Sequence, residues 1–301
     1  MSNATKQPTS LLDLTTNKDK LVMQSVIGVV HSPTVRGTSL KVSFEGVPFT
    51  LPSVGGICYN VSIGDSVYGL AGDHIEPGVS IQNPLAEENL ALNFLSCIGN
   101  VAVVMSGEAK GDKGYVTGTH GGIEHTLVWF NLDTLDKLCI GDKIQIRSYG
   151  QGLQLKNYED IKIMNIDPNL FEKLSINPSE QGIVVAVTAI VPAYLMGSGI
   201  GSQAQSGDYD IMTADKQKLA ELDLQDLKFG DIVYLQDCDN YYGRGYLGSA
   251  CSIGVIVHSD CLLSGHGPGV TTIMTCRTNK IIPIIDKTAN IGKYLDILKK
   301  V

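Results

Sequence analysis

Five of the six histidines in this 301-residue chain lie in short segments rich in glycine and acidic residues. Imidazole exchanges protons near neutral pH and is a common metal ligand, and glycine lets the backbone approach a ligand closely. The pattern predicts a polar site built from loops, with a divalent metal ion as the cofactor that it could hold. The segments are Gly72–Gly78 around His74, His120–His125, Val257–Asp260 around His258, and Ser264–Gly269 around His266.

The first segment reads Gly-Asp-His-Ile-Glu-Pro-Gly. If it is extended, His74 and Glu76 project from one face, because side chains alternate along a strand. Such a pair binds a divalent metal or exchanges protons, and Asp73 beside it could orient a substrate. The alternative is a capped turn whose polar groups face solvent.

The second segment, His-Gly-Gly-Ile-Glu-His, predicts a tight turn that leads into a strand. Its histidine spacing is not that of the helical zinc-protease signature. Glu124 and His125 are adjacent and point to opposite faces of a strand, so at most one shares a site with His120. We favour Glu124 for that role, with a structural role as the alternative.

In the second half, Asp208 and Asp210 are expected on one strand face, where paired carboxylates suit a hard cation or a shared proton. Two separately solvated acids are the equal alternative. Ser198 lies in the glycine-rich loop 196–202, which is expected to lie close against a ligand. That loop lacks the order of glycines in a dinucleotide fingerprint, so no nucleotide cofactor is expected.

Three further residues of the second half carry chemistry. His266 lies between two glycines, which is typical of a presented functional group or of an unremarkable loop residue. Arg244 could bind a substrate carboxylate or phosphate with its planar guanidinium. His258 ends an apolar strand and is expected to be a satisfied histidine at the edge of the core.

Composition excludes several classes of partner. The formal charge of −8 and the pI of about 5.2, without a basic stripe, argue against nucleic acid and anionic membranes as partners. The seven cysteines show no Cys-x-x-Cys spacing and predict free thiols in the cytoplasm. We expect a small-molecule ligand and a homo-oligomer, which is the usual state of soluble bacterial-type chains.

The chain predicts a β-rich α+β fold with two lobes of short strands, forming packed sheets or small barrels, and few helices. Residues 1–20 are a polar lead-in, and the two β-rich domains are expected at 21–176 and 182–301, joined by a polar linker. A Gly-Asp turn recurs before strands at Asp65, Asp142 and Asp231, which we interpret as turn formers. The best helix is expected over Pro84–Ile98, capped by Asn83, with Leu90 and Phe94 facing the core.

Four segments resemble a prokaryotic family known as domain of unknown function 4438. They are Ala71–Ser80, His120–His125, Gly207–Asp210 and Gly265–Val270. The resemblance covers most of the chain and implies no established activity. The Gly-Asp turns and the glycine loops with His and Asp also look like those of acetamidase/formamidase-type amidases, although the Gly-Asp-x-His pattern of those enzymes is not reproduced here.

Two hypotheses follow. The first is a hydrolase of C–N bonds in a small polar metabolite, dependent on a metal or on a His/carboxylate pair. The second is a non-catalytic small-molecule-binding or structural homo-oligomeric protein. For the hydrolase, the expected catalytic residues are His74, Glu76, His120 and His266, the substrate-binding residues are Asp73, Glu124, Arg244 and Ser198, and the metal ligands are Asp208 and Asp210.

Overall fold

The computed structural model describes residues 14–34 and 40–298 of the chain. Of the described residues, 37% lie in strands or isolated β-bridges and 12% in helices, which confirms the β-rich α+β class. The strands are β1 (Gln24–Val30), β2 (Lys41–Val42), β3 (Pro48–Phe49), β4 (Ile57–Cys58), β5 (Gly78–Gln82), β6 (Val101–Val104), β7 (Lys113–His120), β8 (His125–Trp129), β9 (Lys143–Ser148), β10 (Ile161–Ile163), β11 (Ile176–Ser179), β12 (Gly182–Val187), β13 (Ala189–Pro192), β14 (Ile232–Asp239), β15 (Gly245–Ile256), β16 (Val270–Cys276) and β17 (Ile281–Ile285). The α-helices are α1 (Ala86–Leu95), α2 (Leu132–Leu135), α3 (Pro168–Phe171), α4 (Lys216–Glu221) and α5 (Ile291–Leu295).

Six antiparallel strands of the first half close a barrel in the order β1-β9-β6-β7-β8-β5. The ring closes where Val29 of β1 pairs with Gln82 of β5, and β4 adds to the outer side of β5. Closure leaves no open edge within the ring. One hydrophobic cluster of this barrel includes Val30, Ile81, Val116, Val128, Ile144 and Ile146.

The three Gly-Asp turns share one hydrogen bond. In each turn the aspartate carboxylate accepts from the backbone N–H three residues earlier, at 2.8 Å, and the preceding glycine has φ near +90°. This geometry confirms that the aspartates are turn formers, because the side chain satisfies the backbone group that the turn leaves free. The pairs are Asp65 with Ser62, Asp142 with Cys139, and Asp231 with Lys228.

The second half is built on a five-stranded sheet in the order β10-β16-β15-β14-β13, and on a three-stranded sheet in the order β11-β12-β17. Strand β10 belongs to the predicted first domain, so residues of both predicted domains contribute to one sheet. The expected linker forms a hairpin instead, since Ser179 of β11 pairs with Gly182 of β12 and Ile176 is buried. The division into domains 21–176 and 182–301 stays a prediction, and residues 1–13 of the lead-in lie outside the described part.

Helix α1 differs from its prediction. It begins at Ala86, and the Asn83 side chain accepts from the backbone N–H of Leu85 instead of capping the helix. Leu90 is 63% exposed, whereas Asn93 is buried, so the predicted inward face was wrong. The asparagines face inward because they bind the turn between β7 and β8, as described below. No described helix combines the length and apolar composition needed to cross a membrane.

Candidate metal centre

Loops from both halves meet at a cluster of four imidazoles, His74, His120, His258 and His266, which we name the histidine cluster. The ring centroids of His120 and His258 lie 4.2 Å apart, and His74 lies 5.1 Å from both His258 and His266. Asp208 and Asp210 lie against the same rings. The structure therefore brings three of the four predicted catalytic residues together with both predicted metal ligands.

The loop before β5 positions His74 and Glu76, and it is not extended as the alternation argument assumed. His74 has φ of 57°, in the left-handed region, and its N–H donates to the carbonyl of Asp260 at 3.3 Å. The N–H of Ile75 donates to Ser259 Oγ at 2.8 Å. The loop is thus fixed by the second half of the chain, and a non-glycine residue in this strained backbone region is typical of a functional site.

Glu76 lies behind His120 and is fully engaged. Its carboxylate oxygen Oε1 lies 2.6 Å from His120 Nδ1, and the carboxylate also contacts His125 Nδ1 at 3.0 Å. The Gly55 N–H and the Ser80 hydroxyl donate to its other oxygen. A carboxylate with four donors does not serve as a free base, so Glu76 positions His120. Because Nδ1 of His120 donates to Glu76, its Nε2 is left as the metal-binding nitrogen.

His258 is oriented in the same manner from the second half. It follows β15, is fully buried, and its Nδ1 lies 2.9 Å from the Ser259 carbonyl, to which it can donate. Its Nε2 lies 2.6 Å from Asp208 Oδ2 and 3.6 Å from Asp210 Oδ1, yet among the described residues neither Nε2 nor Asp208 Oδ2 has a partner aligned as a hydrogen bond. Two buried polar atoms that converge without a directed hydrogen bond need another partner, and a cation beside them that binds both would supply it.

Donor atoms of His120, Asp208 and His258 all lie within 4.8 Å of one another, and all three residues are buried. We name this set the buried triad. Asp208 is held in place through its other oxygen, which accepts from the Gly121 N–H at 2.8 Å. Two imidazoles and a carboxylate are the ligands that zinc takes in catalytic sites.

Gly269 makes the approach of His258 and Asp208 feasible. A Cβ at this position would lie 1.9 Å from Asp208 Oδ2 and 2.2 Å from His258 Nε2. Any larger residue would therefore push the two donors apart. This close contact explains the glycine that precedes β16.

Charge around the cluster is unbalanced. Four buried carboxylates, those of Asp73, Glu76, Asp208 and Asp210, face two permanent cations, those of Lys41 and Arg244. Buried charges need compensation, because burial removes their hydration. A divalent cation would supply the missing positive charge.

The pKa shifts follow the same electrostatics. Burial raises the pKa of Asp208, but the imidazoles of His258 and His120 outweigh burial and leave it below its usual value. Burial lowers the pKa of His258, yet Asp208 and Asp210 raise it well above the ordinary value. A proton on His258 and a bound cation therefore fill the same electrostatic role, and they exclude each other at Nε2.

The β7–β8 hairpin places His125, and not the Glu124 carboxylate, against Glu76. His125, directly opposite His120 in the register, contacts Glu76, whereas the exposed Glu124 carboxylate accepts only from the Gly122 N–H, at 3.2 Å. Glu124 has φ of 59°, and this left-handed residue breaks the strand alternation on which the prediction relied. Its carbonyl accepts from the side chains of Asn89 and Asn93 of α1.

The predicted substrate-binding residues line two cavities that meet at His74, His120 and His266. The larger, of about 260 Å³, has an apolar wall that includes Phe49, Leu51 and Ile123, with Asp73 and Lys41 at its base. The smaller, of about 150 Å³, is polar and is lined by Glu124, Ser198 and Arg244. Arg244 is buried, donates to the Ser206 carbonyl at 2.8 Å, and has an Nε without a partner in the described chain.

The sequence argument missed three contributors. His258 was expected to be a satisfied core histidine because it follows an apolar strand, and the structure places it at the centre of the buried triad. Cys261 contacts Asp73 Oδ1 at 3.0 Å, and its apolar neighbours gave no sign of this. His31 extends a line of polar contacts, since its Nδ1 lies 2.9 Å from His125 Nε2. The polar pair Ser259-Asp260 after His258 was the one sequence signal that pointed to a role in the site.

The fold and the centre define a β-rich protein in which a closed barrel and a second sheet share one buried histidine–carboxylate site. The chain belongs to the family described as domain of unknown function DUF4438, whose N-terminal domain matches residues 40–172 and whose C-terminal domain matches residues 173–295. This confirms the resemblance seen in the sequence. Among solved structures, the crystal structure of TM1086 is similar, with 52% identity, a TM-score of 0.90, and coverage of 93% of this chain and 99% of that one. No curated protein matches the chain.

Proposed function

We propose that this protein is a metal-dependent hydrolase that cleaves a C–N bond in a small polar metabolite. The observation that carries the proposal is the buried triad, His120, Asp208 and His258, whose donor atoms converge within 4.8 Å. Two of these ligands are oriented from behind, by Glu76 and by the Ser259 carbonyl. Three protein ligands with such support are characteristic of catalytic zinc sites, which keep one position open.

A divalent cation at the triad would supply Lewis acidity and lower the pKa of a coordinated water. Hydrolysis then forms a bond from the water oxygen to the carbonyl carbon and breaks the C–N bond. Asp210 lies beside the triad, with Oδ1 3.6 Å from His258 Nε2 and Oδ2 3.0 Å from His266 Nδ1, and would accept a water proton and deliver it to the leaving nitrogen. An amine leaves poorly without that proton, so this arrangement suits a C–N bond.

The two cavities differ in polarity, and together they suit a small substrate with one polar and one less polar end. Arg244 and Ser198 line the polar cavity and would bind a carboxylate or another anionic group. The apolar wall of the other cavity, with Asp73 and Lys41 nearby, would receive the remainder of the molecule. An N-acylated amino acid has this division, and the amide between its halves would lie at the histidine cluster.

The test is metal content together with hydrolysis. Protein purified without chelator should carry a stoichiometric divalent cation and should release amine from a panel of N-acyl amino acids and simple amides. Asp208→Asn and His120→Ala should lose both the triad cation and the activity. Asp160→Asn, which removes an exposed carboxylate paired with Lys280, is the matched control and should keep both. A protein that holds no cation at the triad at neutral pH would refute the proposal, and a bound cation without turnover on any amide would favour the non-catalytic binding protein.

Location and assembly are part of the same proposal. A cytoplasmic location is supported by the seven cysteines, all of which are free thiols. A homo-oligomer remains our expectation, and light scattering of the purified protein measures it directly. A monomer across the working concentration range would contradict that part of the proposal and leave the catalytic part intact.

A further inference from the structure

A second set of donor atoms lies beside the buried triad. It consists of His74, Cys261 and His266, whose ligand atoms also lie within 4.8 Å of one another. We name this set the thiol site. His74 Nε2 and His266 Nδ1 are 3.2 Å apart, which resembles the separation of about 3.3 Å between two nitrogens bound to one tetrahedral zinc. The set shares no ligand with the triad.

Asp210 links the two sets. Its Oδ2 lies 3.0 Å from His266 Nδ1 and 3.9 Å from His74 Nε2, while its Oδ1 lies 3.6 Å from His258 Nε2. One carboxylate therefore turns one oxygen to each set of donors. This is the position of a bridging ligand between two cations, which in two-metal sites are about 3.5–4 Å apart.

Cys261 offers a buried sulfur as a ligand. The N–H of Leu263 donates to that sulfur at 3.2 Å. The thiol donates to Asp73 Oδ1 at 3.0 Å, and Lys41 is paired with the other oxygen of that carboxylate at 2.8 Å. Burial and Asp73 raise the pKa of the thiol above its ordinary value, so only a bound cation would remove its proton. A metal displaces a thiol proton on binding.

From this geometry we propose that the protein holds a second divalent cation, of the zinc class, at His74, Cys261 and His266, with Asp210 bridging it to the cation of the buried triad. The inference rests on the proposed function, since it adds a second ion to the same centre, where Asp210 would relay the water proton as a metal-bound carboxylate and not as a free one. The sulfur and the two imidazoles select a soft or borderline cation such as Zn²⁺ over Mg²⁺ or Ca²⁺.

The experiment is reconstitution of the chelator-treated full-length protein with Co²⁺, followed by metal analysis and absorption spectroscopy. The intact chain should bind two equivalents and show a thiolate-to-cobalt charge-transfer band in the near ultraviolet. Cys261→Ser should lose that band and retain at least one equivalent. Cys238→Ala, which removes an equally buried cysteine elsewhere, is the control and should keep two equivalents and the band.

The outcomes separate the two proposals. One equivalent without the charge-transfer band, lost in Asp208→Asn, would overturn the second cation and leave the proposed function standing. No bound cation in the intact chain would overturn both. Because the band is read in the intact chain, the test does not depend on whether the Cys261→Ser variant folds.

Discussion

Replacing Gly269 with alanine tests the centre by steric displacement alone. The added Cβ would lie 1.9 Å from Asp208 Oδ2, whereas real contacts of this kind stay above about 3.0 Å, so this oxygen must move away from the Cβ by roughly 1 Å. Metal sites tolerate distance errors of only about 0.2 Å. We therefore expect the affinity of the buried triad for its cation to fall at least about 100-fold.

The same substitution should leave the protein folded. Overpacking costs about 1–3 kcal/mol, against a total free energy of unfolding of about 5–15 kcal/mol. The backbone at Gly269 does not require positive φ, so alanine adds no backbone strain there. Gly245→Ala is the matched control, because its Cβ meets no atom within 4 Å and its φ is likewise not positive.

The assay is competition with a chromophoric chelator for Zn²⁺, accompanied by urea unfolding of the chelated proteins. Gly269→Ala should lose metal affinity while remaining cooperatively folded, and Gly245→Ala should match the parent in both measurements. If Gly269→Ala bound zinc with the parent affinity, the two atoms that it displaces would not be metal ligands, and the assignment of the triad would be refuted.

Three further perturbations report on the supporting structure. Glu76→Gln should weaken zinc binding about 10–100-fold in the same competition assay, because His120 loses the carboxylate that orients it; unchanged affinity would remove Glu76 from this role. Asn93→Ala should lower the free energy of unfolding in urea by about 0.5–1.5 kcal/mol, since the Glu124 carbonyl loses one of its two donors, whereas the exposed Leu90→Ala should change it by less than about 0.5 kcal/mol. Burial raises the pKa of Asp231 to about 6 from 3.8. The folded state therefore binds this proton more tightly than the unfolded state does. The free energy of unfolding should fall by about 3 kcal/mol as pH rises from about 4 to about 6. Asp231→Asn should remove that fall and Asp142→Asn, in the corresponding turn, should not; a fall that persists in Asp231→Asn would belong to another group.

Local signals in the sequence were sufficient to predict the strands and turns of the fold. Runs of β-branched residues coincide with strands, as at Val101–Val104 and Ile281–Ile285, because these residues suit a pleated, buried surface wherever they lie. The Gly-Asp turns were equally readable, since each aspartate bonds to a group only three residues away. Properties set within a few residues of chain were therefore predictable.

Properties that depend on contacts between distant segments could not be predicted from the sequence. Asn89 and Asn93 lie beside Leu92 on the inward face of α1 because they satisfy the carbonyl of Glu124, about thirty residues further along the chain. An apolar stripe containing Leu90 and Phe94 gave no indication of that need. Hydrophobic periodicity assumes that a helix buries its apolar face, and this helix instead supports a site.

The same limit applies to the centre. Glycine loops marked His74, His120 and His266, but His258 follows an apolar strand and resembled a core residue. Its role depends on the contact with Asp208, fifty residues earlier, and on the small size of Gly269. Gly269 was noted only as part of a loop motif. A glycine is needed there because of a steric contact with Asp208 and His258, and no single segment of the sequence reveals that contact.

The buried triad takes His120 from the barrel hairpin and Asp208 and His258 from the later part of the chain. A nascent chain that has emerged only as far as the barrel therefore has one of the three donor residues and would not retain the cation that we propose. The ion would join the protein late, after synthesis passes residue 258, and from then on it would fasten the two halves together. Chelation should accordingly loosen the attachment of the hairpin to the second sheet before it affects the barrel itself.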